Sequence, residues 1–231
     1  MDRRKFLSKP VAKTPAGSPA VDMSSEGQKR SYLTNAVLTN QEGKKFRFYD
    51  DLVKGKIVVI NMMYAKCDGI CPAVTSNLKR VYNGLKGRIG VDTFMYSITL
   101  KPEQDNPAAM KQFAQMHQAN LPGWQFLTGN ADEIETLRFR LFRWDHPGLD
   151  NDIDQHTGML FLFNDSLSRN CKTPAMSTVR SLLKTISWMD PIPVQAERAR
   201  RDAAKMVEEL EREAAWANGE KWAKGAVTVG R

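Results

Sequence analysis

Apolar residues along the chain recur with the two periods that distinguish strands from helices. Residues 56–64 form a nearly continuous apolar run containing β-branched residues, which predicts a strand buried on both faces of a mixed or parallel sheet. Further strands are predicted at residues 46–49, 91–100, 124–128 and 159–163, and helices after Pro72 and at residues 107–118, 132–143 and 176–188. This alternation predicts an α/β domain with a central mixed sheet flanked by helices.

Three of the predicted helices are apolar on one face only, which marks the side that packs against the sheet. The residues of these faces are Val74, Leu78, Val81 and Leu85 in the first helix, Met110, Phe113, Ala114 and Met116 in the second, and Ile134, Leu137, Leu141 and Phe142 in the third. We expect these side chains to form the core on the helix side.

The chain divides into three parts. Residues 1–33 are rich in Lys, Pro, Ser and Gly without a sustained period, which predicts a flexible N-terminal segment. Residues 34–193 contain the predicted strands and helices and form the domain. Residues 194–231 are highly charged with an apolar stripe at helical spacing, which predicts an additional C-terminal helix that packs on the domain or on a partner.

The net charge of +8 does not indicate a nucleic-acid-binding protein. Half of this excess lies in residues 1–30, which hold seven Lys or Arg and three Asp or Glu. The predicted domain has no basic stripe with interleaved aromatic residues. Apolar residues at 42% and charged residues at 26% are typical of a globular chain.

The sequence contains no membrane-span pattern, because its longest apolar run, residues 57–65, is interrupted by Asn61. Near the N-terminus, Arg3 and Arg4 precede Phe6 and Leu7, which matches the twin-arginine export pattern. Lysines and prolines then follow where the apolar region of an export signal is expected. The segment is therefore interpreted as an atypical or degenerate export signal.

The chain has three cysteines, Cys67, Cys71 and Cys171, too few for a disulfide framework. Cys67 and Cys71 follow the buried strand and precede a helix, whose N-terminus stabilises a thiolate. Their spacing of four residues on a helical turn places both sulfurs on one face. Such a pair can bind a metal ion or close a disulfide.

A third ligand would favour a metal site, and the chain offers three histidines. His156 directly precedes the last predicted strand, an end of which can lie beside the first buried strand. His117, in a predicted helix, and His146, in a turn, are interpreted as solvated or locally bonded.

Six segments, in order along the chain, resemble the Sco/SenC copper-chaperone family. They are Tyr64-Ala65-Lys66-Cys67 through Cys71-Pro72, Thr75-Ser76-Asn77-Leu78, Ser97-Ile98-Thr99-Leu100-Lys101-Pro102-Glu103, Asp105-Asn106-Pro107, Trp124-Gln125-Phe126-Leu127-Thr128-Gly129 and Gln155-His156-Thr157-Gly158. The likeness extends over residues 33–192.

The resemblance implies a thioredoxin-like fold that binds one copper ion, Cu(I) or Cu(II), through Cys67, Cys71 and His156. Two thiolates and an imidazole suit copper. Asp152 and Asp154 are candidates to accept the other imidazole N–H. A site that gives up its metal is expected to be shallow and exposed.

The family resemblance also implies a client, a copper-site subunit of cytochrome c oxidase or another copper-site protein, and an extracytoplasmic location in the periplasm or cell envelope. We expect a metallochaperone rather than an enzyme. The alternative is a thiol–disulfide oxidoreductase that reduces the client's cysteines, with a thioredoxin-like protein as its own reductant; a peroxidase is a third hypothesis.

Three other sulfur-containing residues are not expected to bind copper. Cys171 lies in a predicted loop, residues 170–174, and is interpreted as a spare or structural thiol, with a resolving cysteine as the alternative. Met62 and Met63 precede the cysteine segment and are interpreted as core residues rather than copper ligands.

Overall fold

A computed structural model of the chain describes residues 25–85, 87–142 and 158–192, and beyond them positions 194, 197, 201, 205, 206, 208 and 209. Its elements in chain order are α1 (Ser25–Leu33), β1 (Val37–Asn40), β2 (Lys45–Arg47), a π-helix (Phe48–Val53), β3 (Ile57–Met63), α2 (Cys71–Gly84), β4 (Thr93–Thr99), α3 (Pro107–Met116), β5 (Trp124–Gly129), α4 (Ala131–Phe142), β6 (Met159–Asn164), β7 (Arg169–Pro174) and α5 (Val179–Ser187).

The strands form one mixed sheet in the order β2-β1-β5-β4-β3-β6-β7. β3 pairs in parallel with β4, and β4 pairs in parallel with β5. On its other side β3 pairs antiparallel with β6, which continues into β7 as a hairpin. The predicted mixed sheet with flanking helices is confirmed, and β3 is fully buried as its apolar run predicts.

The two faces of the sheet bury two separate apolar clusters, and successive residues of β3 alternate between them. Ile57, Val59 and Met63 pack with α2, α3 and α5. Val58 and Met62 pack with α1, the π-helix and α4 on the opposite face. The cysteines of the β3–α2 connection belong to the first cluster.

Asn61, the polar residue within the β3 run, is buried but hydrogen-bonded. The Ser97 hydroxyl donates to Asn61 Oδ1 at 2.8 Å, and Trp124 Nε1 donates to Ser97 Oγ at 3.0 Å. Polar side chains from the three adjacent strands β5, β4 and β3 are therefore hydrogen-bonded in series. These bonds offset the free-energy cost of burying the polar groups.

Two predictions about local structure are wrong. The predicted strand at residues 46–49 ends at Arg47, and the π-helix begins at Phe48. Phe48 and Tyr49 are both buried, which a strand with one solvated face does not allow for consecutive residues. Met116, expected in the core, is 68% exposed because α3 ends there and turns its last residue outward.

The domain begins earlier than the boundary at residue 34, because residues 25–33 form α1. This helix is attached to the β6–β7 turn by Lys29, whose ammonium lies 3.3 Å from the Asp165 carboxylate. Leu33, at the end of α1, is buried in the second cluster. Within the part of the chain that the structure describes, no helix combines the length and apolar character needed to cross a bilayer.

Candidate functional site

The connection between β3 and α2 carries both candidate cysteines. β3 ends at Met63, and α2 begins at Cys71 with Pro72 in its first turn, where a proline loses no helical hydrogen bond. Cys67 lies in the connecting loop, four residues before the helix. The spacing alone predicts that Cys67 and Cys71 share a helical turn, and they do not, because Cys67 precedes the helix. The loop instead brings Cys67 back against the start of the helix.

Both thiols lie beneath the surface. Cys67 is 8% exposed and Cys71 is 1% exposed, and both are reduced thiols. The sequence predicts a shallow, exposed site, and the structure instead buries both cysteines. The exposed residues of the loop are its other members, among them Lys66, Asp68 and Ile70.

The surroundings of Cys67 favour its thiolate. Burial raises the pKa of the Cys67 thiol. Hydrogen bonds from the Cys71 side chain and from the Cys71 backbone N–H lower that pKa. The Gly69 backbone N–H and the Tyr64 side chain add two more, and the net pKa of Cys67 lies below its ordinary value. A thiolate is the form that binds soft metals and attacks disulfides.

A buried carboxylate braces the loop from the neighbouring strand. Asp105 follows β4 and is 2% exposed. Its Oδ2 accepts the Ala65 backbone N–H at 2.9 Å and the Thr99 hydroxyl at 2.5 Å. The start of the cysteine loop is therefore fixed to the end of β4 through Asp105.

Replacing Asp105 with Ala is expected to lower the free energy of unfolding by about 2–3 kcal/mol, because it leaves the half-buried Ala65 amide and the buried Thr99 hydroxyl without their acceptor. Urea unfolding followed by circular dichroism measures the change. Asp68→Ala, in the exposed part of the same loop, is the matched control and is expected to cost less than about 0.5 kcal/mol. Equal costs for the two variants would show that Asp105 does not brace the loop.

The start of β6 lies beside the cysteine loop. Because β6 runs antiparallel to β3, with Leu160 paired to Asn61, β6 begins where β3 ends. A Cβ built on Gly158 would lie 3.7 Å from Ile70 Cδ1, and the Gly158 carbonyl accepts the Ala175 N–H at 2.8 Å. The chain therefore enters β6 close to Ile70, the residue that precedes Cys71.

The other predicted ligands stand as follows. His156, His146, Asp152 and Asp154 lie outside the described residues. Among the residues that are described, no group of three or more His, Cys, Asp and Glu is placed to hold a metal ion. His117 directly follows α3, and its ring packs on the Phe113 ring at 4.3 Å between centroids.

Cys171 lies on β7, where a loop is predicted. The segment is a strand because its backbone completes the hairpin with β6, in which Cys171 pairs with Leu162. Leu162 in turn pairs with Val59, so Cys171 lies two strands, or roughly 10 Å, from the middle of β3. The structure does not bring this thiol to Cys67.

Met62 and Met63, the last two residues of β3, point to opposite faces of the sheet because side chains alternate along a strand. Met62 packs in the cluster on the opposite face of the sheet, whereas Met63 belongs to the cluster that contains the cysteines. Both are buried, as expected of core residues.

Three residues around the cysteines are not identified as functional by the sequence: Tyr64, Lys101 and Asp105. Lys101 places its ammonium 3.9 Å from the centroid of the Tyr64 ring. The available signals were an aromatic residue directly after the buried strand and an aspartate directly after the next strand. Neither signal specifies a contact.

Comparison with known proteins gives a consistent result. The family model described as SCO1/SenC matches residues 25–189. A SCO1 protein homolog of Bacillus subtilis (strain 168) is 30% identical over 105 residues, which are 45% of this chain and 53% of that protein. The chain spans about half the length of the curated relatives it matches.

Two solved structures show the same fold. BsSco, reported with a disulfide switch as a member of the Sco family of cytochrome c oxidase assembly proteins, has a TM-score of 0.55 and 22% identity over 66% of this chain and 90% of that one. Yeast Sco1 with copper bound has a TM-score of 0.54 and 20% identity over 69% and 94%. The thioredoxin-like fold is confirmed, and with a family match over most of its length this chain belongs to the SCO1/SenC family.

Proposed function

We propose that the protein binds copper as its cargo, one ion per chain, through Cys67 and Cys71 with His156 as the third ligand. The observation that carries this proposal is the pair of reduced, hydrogen-bonded thiols between a buried strand and the helix that follows it, in a SCO1/SenC domain. Thiolates are soft ligands that favour Cu(I), and an imidazole allows Cu(II) as well. Yeast Sco1, which shares the fold, has been solved with copper bound.

The position of β6 supports His156 as the third ligand. Gly158 lies close to Ile70, the residue before Cys71, and His156 is only two residues further back along the chain. Two residues span at most about 7 Å, and an imidazole adds its own length. Asp152 and Asp154 are the proposed acceptors for the other imidazole N–H, which would fix the ring's orientation.

The proposed recipient is a copper-site client, either a subunit of cytochrome c oxidase or another protein of that chemistry. BsSco, named as a member of a family of cytochrome c oxidase assembly proteins, supports this class of client. The proposed location is extracytoplasmic, supported by the Arg3-Arg4 pattern. Because Cys71 is almost fully buried, transfer requires the loop at residues 64–70 to expose the sulfurs.

A second candidate function, thiol–disulfide exchange, is favoured by the hydrogen bond between the two cysteine side chains. The Cys67 thiolate would attack a client disulfide, forming a mixed disulfide and releasing one client thiolate. Cys71 would then attack the Cys67 sulfur, which releases the second client thiol and leaves a Cys67–Cys71 disulfide. A thioredoxin-like dithiol would return the two electrons.

His156→Ala separates the two functions. We expect this variant to bind Cu(I) about thirtyfold to a hundredfold more weakly than the wild type, because it loses one of three ligands. The measurement is an anaerobic titration of the reduced protein against a chromogenic Cu(I) chelator. His117→Ala, at the end of α3, is the matched control and is expected to bind as the wild type does.

Two results would overturn the copper proposal. One is a wild-type protein that loses all copper to a weak chelator, and the other is a His156→Ala variant that retains full affinity. If the His156→Ala variant then reduces a model disulfide as fast as the wild type does, thiol–disulfide exchange becomes the leading function.

A further inference from the structure

We propose that Asn77, a buried residue of α2, is a positioning residue that fixes the start of β6 against the helix that begins at Cys71. The inference rests on the proposed function, in which His156, two residues before Gly158, is a ligand together with the cysteines. It concerns how the two chain segments are held at a fixed separation, and not the ligands themselves.

Asn77 joins α2 to the turn between β7 and α5. The residue is 3% exposed. Its Nδ2 amide group donates to the Ala175 carbonyl at 2.8 Å and to the Ser177 carbonyl at 2.9 Å. The Ser177 N–H closes the same turn by donating to the Pro174 carbonyl at 3.1 Å. Both hydrogens of a buried amide are therefore used to hold one turn at one place on the helix.

Arg80 sets the orientation of this amide. Arg80 Nη2 donates to Asn77 Oδ1 at 2.9 Å, so the oxygen faces the guanidinium and the NH₂ group faces the turn. An amide rotated by half a turn would place its oxygen against two carbonyl oxygens and its NH₂ group against a cation. Neither contact is a hydrogen bond, because each would join two acceptors or two donors.

The turn is in turn joined to the start of β6. The Ala175 N–H donates to the Gly158 carbonyl at 2.8 Å. Gly158 also lies close to Ile70, because a Cβ built on it would be 3.7 Å from Ile70 Cδ1. Ile70 directly precedes Cys71, the first residue of α2. The contacts therefore form a closed cycle, from α2 through Asn77, the turn and Gly158 back to the start of α2.

This cycle holds Cys71 and the chain that enters β6 at a fixed separation before an ion binds. A preorganised site binds more tightly, because binding orders fewer groups. Without the Asn77 amide, the turn keeps its bond to Gly158 but is no longer hydrogen-bonded to α2. The start of β6 then moves more freely relative to the cysteines, and copper affinity falls although every ligand is still present.

The test compares Asn77→Ala with Asn164→Ala. Asn164 is also a buried amide, 4% exposed, and its Nδ2 donates to the Met189 carbonyl at 2.6 Å. It pairs with Ile57, at the opposite end of β3 from the cysteines. We expect Asn77→Ala to lower the Cu(I) affinity of the reduced protein about tenfold, the lower end of the range for groups that orient ligands, and Asn164→Ala to lower it less than about twofold. Competition with a chromogenic chelator measures both.

Two further measurements separate positioning from a general loss of stability. In the metal-free protein, hydrogen exchange at the Ala175 amide, followed by NMR, should be about tenfold faster in Asn77→Ala than in Asn164→Ala, because the segment that carries this amide opens locally. With Cu(II) bound, the sulfur-to-copper charge-transfer absorption should change in Asn77→Ala and remain that of the wild type in Asn164→Ala, since it reports how the ligands surround the ion.

Arg80→Ala is a milder variant that leaves the buried amide in place, and it decides the question if Asn77→Ala does not fold. We expect it to weaken Cu(I) binding about two- to threefold, because the amide loses the bond that orients it. Lys79→Ala is its matched control. It removes the same charge from the preceding position of α2, where the ammonium donates to Gln118 Oε1 at 2.7 Å, and should bind as the wild type does.

Equal Cu(I) affinities for Asn77→Ala and Asn164→Ala would overturn the inference and leave the proposed function in place. Equal affinities for Arg80→Ala and Lys79→Ala would contradict the role of the oriented amide. Failure of the wild type to bind Cu(I) would refute the proposed function instead. The exchange rate of the Ala175 amide would then still show whether Asn77 holds the start of β6, so the two failures are distinguishable.

Discussion

Replacing Cys71 with Ser is expected to lower the Cu(I) affinity of the reduced protein by about two to three orders of magnitude. Structural zinc sites with four ligands contribute about 10–16 kcal/mol in total, so one ligand accounts for about 2.5–4 kcal/mol on that scale. A serine hydroxyl does not ionise near neutral pH and is a poor ligand for a soft ion. Cys71 is also 1% exposed and is the first residue of α2, so the substitution changes one atom within an intact helix.

Competition with a chromogenic chelator under anaerobic conditions measures this loss. Cys171→Ser is the matched control, because Cys171 lies on β7 and is not brought near the pair. It should bind one equivalent with wild-type affinity. Equal affinities for the Cys71→Ser and Cys171→Ser variants would place the copper outside the β3–α2 connection and would contradict the proposal.

The parts of the fold that the sequence predicts are those in which burial leaves a periodic pattern. β3 is buried on both faces and is therefore apolar throughout, and the buried face of α2 recurs at helical spacing. β7 could not be predicted in this way. Its residues Arg169–Pro174 are mostly polar because it is an edge strand, and its identity depends on pairing with β6 rather than on its own composition.

The candidate site is likewise predictable from the sequence only in part. The location of Cys67 and Cys71 follows from the sequence, because a buried strand followed by a helix marks the carboxyl end of the sheet. Their hydrogen-bonding partners do not follow. Lys101 reaches Tyr64 because Met63 and Thr99 are paired in the parallel register of β3 and β4, which brings together residues far apart in the sequence. His156 remains a prediction that the titration above tests.

A buried ion pair joins the segment after α5 to the segment before β4. Arg88 Nη2 donates to Asp190 Oδ1 at 2.5 Å, and the Asp190 side chain is only 1% exposed. Arg88 also contacts Asp92, which is half exposed, at 3.2 Å. Asn164 and Arg169 hold the adjacent backbone by donating to the carbonyls of Met189 and Trp188. The end of α5 is thereby attached to the segment that precedes β4.

Replacing Arg88 with Met is expected to lower the free energy of unfolding by about 3–5 kcal/mol, because it leaves the Asp190 carboxylate buried without its cation. Urea unfolding of the metal-free protein measures the change, and adding Asp190→Asn should recover part of it, since the uncompensated charge is then gone. Arg47→Met is the matched control: Arg47 is 60% exposed, its ion pairs with Asp50 and Asp51 are 3.5 and 3.6 Å long, and its loss should cost less than about 1 kcal/mol. An Arg88→Met cost no larger than that of Arg47→Met would mean that Asp190 is stabilised by other groups and that the pair does not anchor α5.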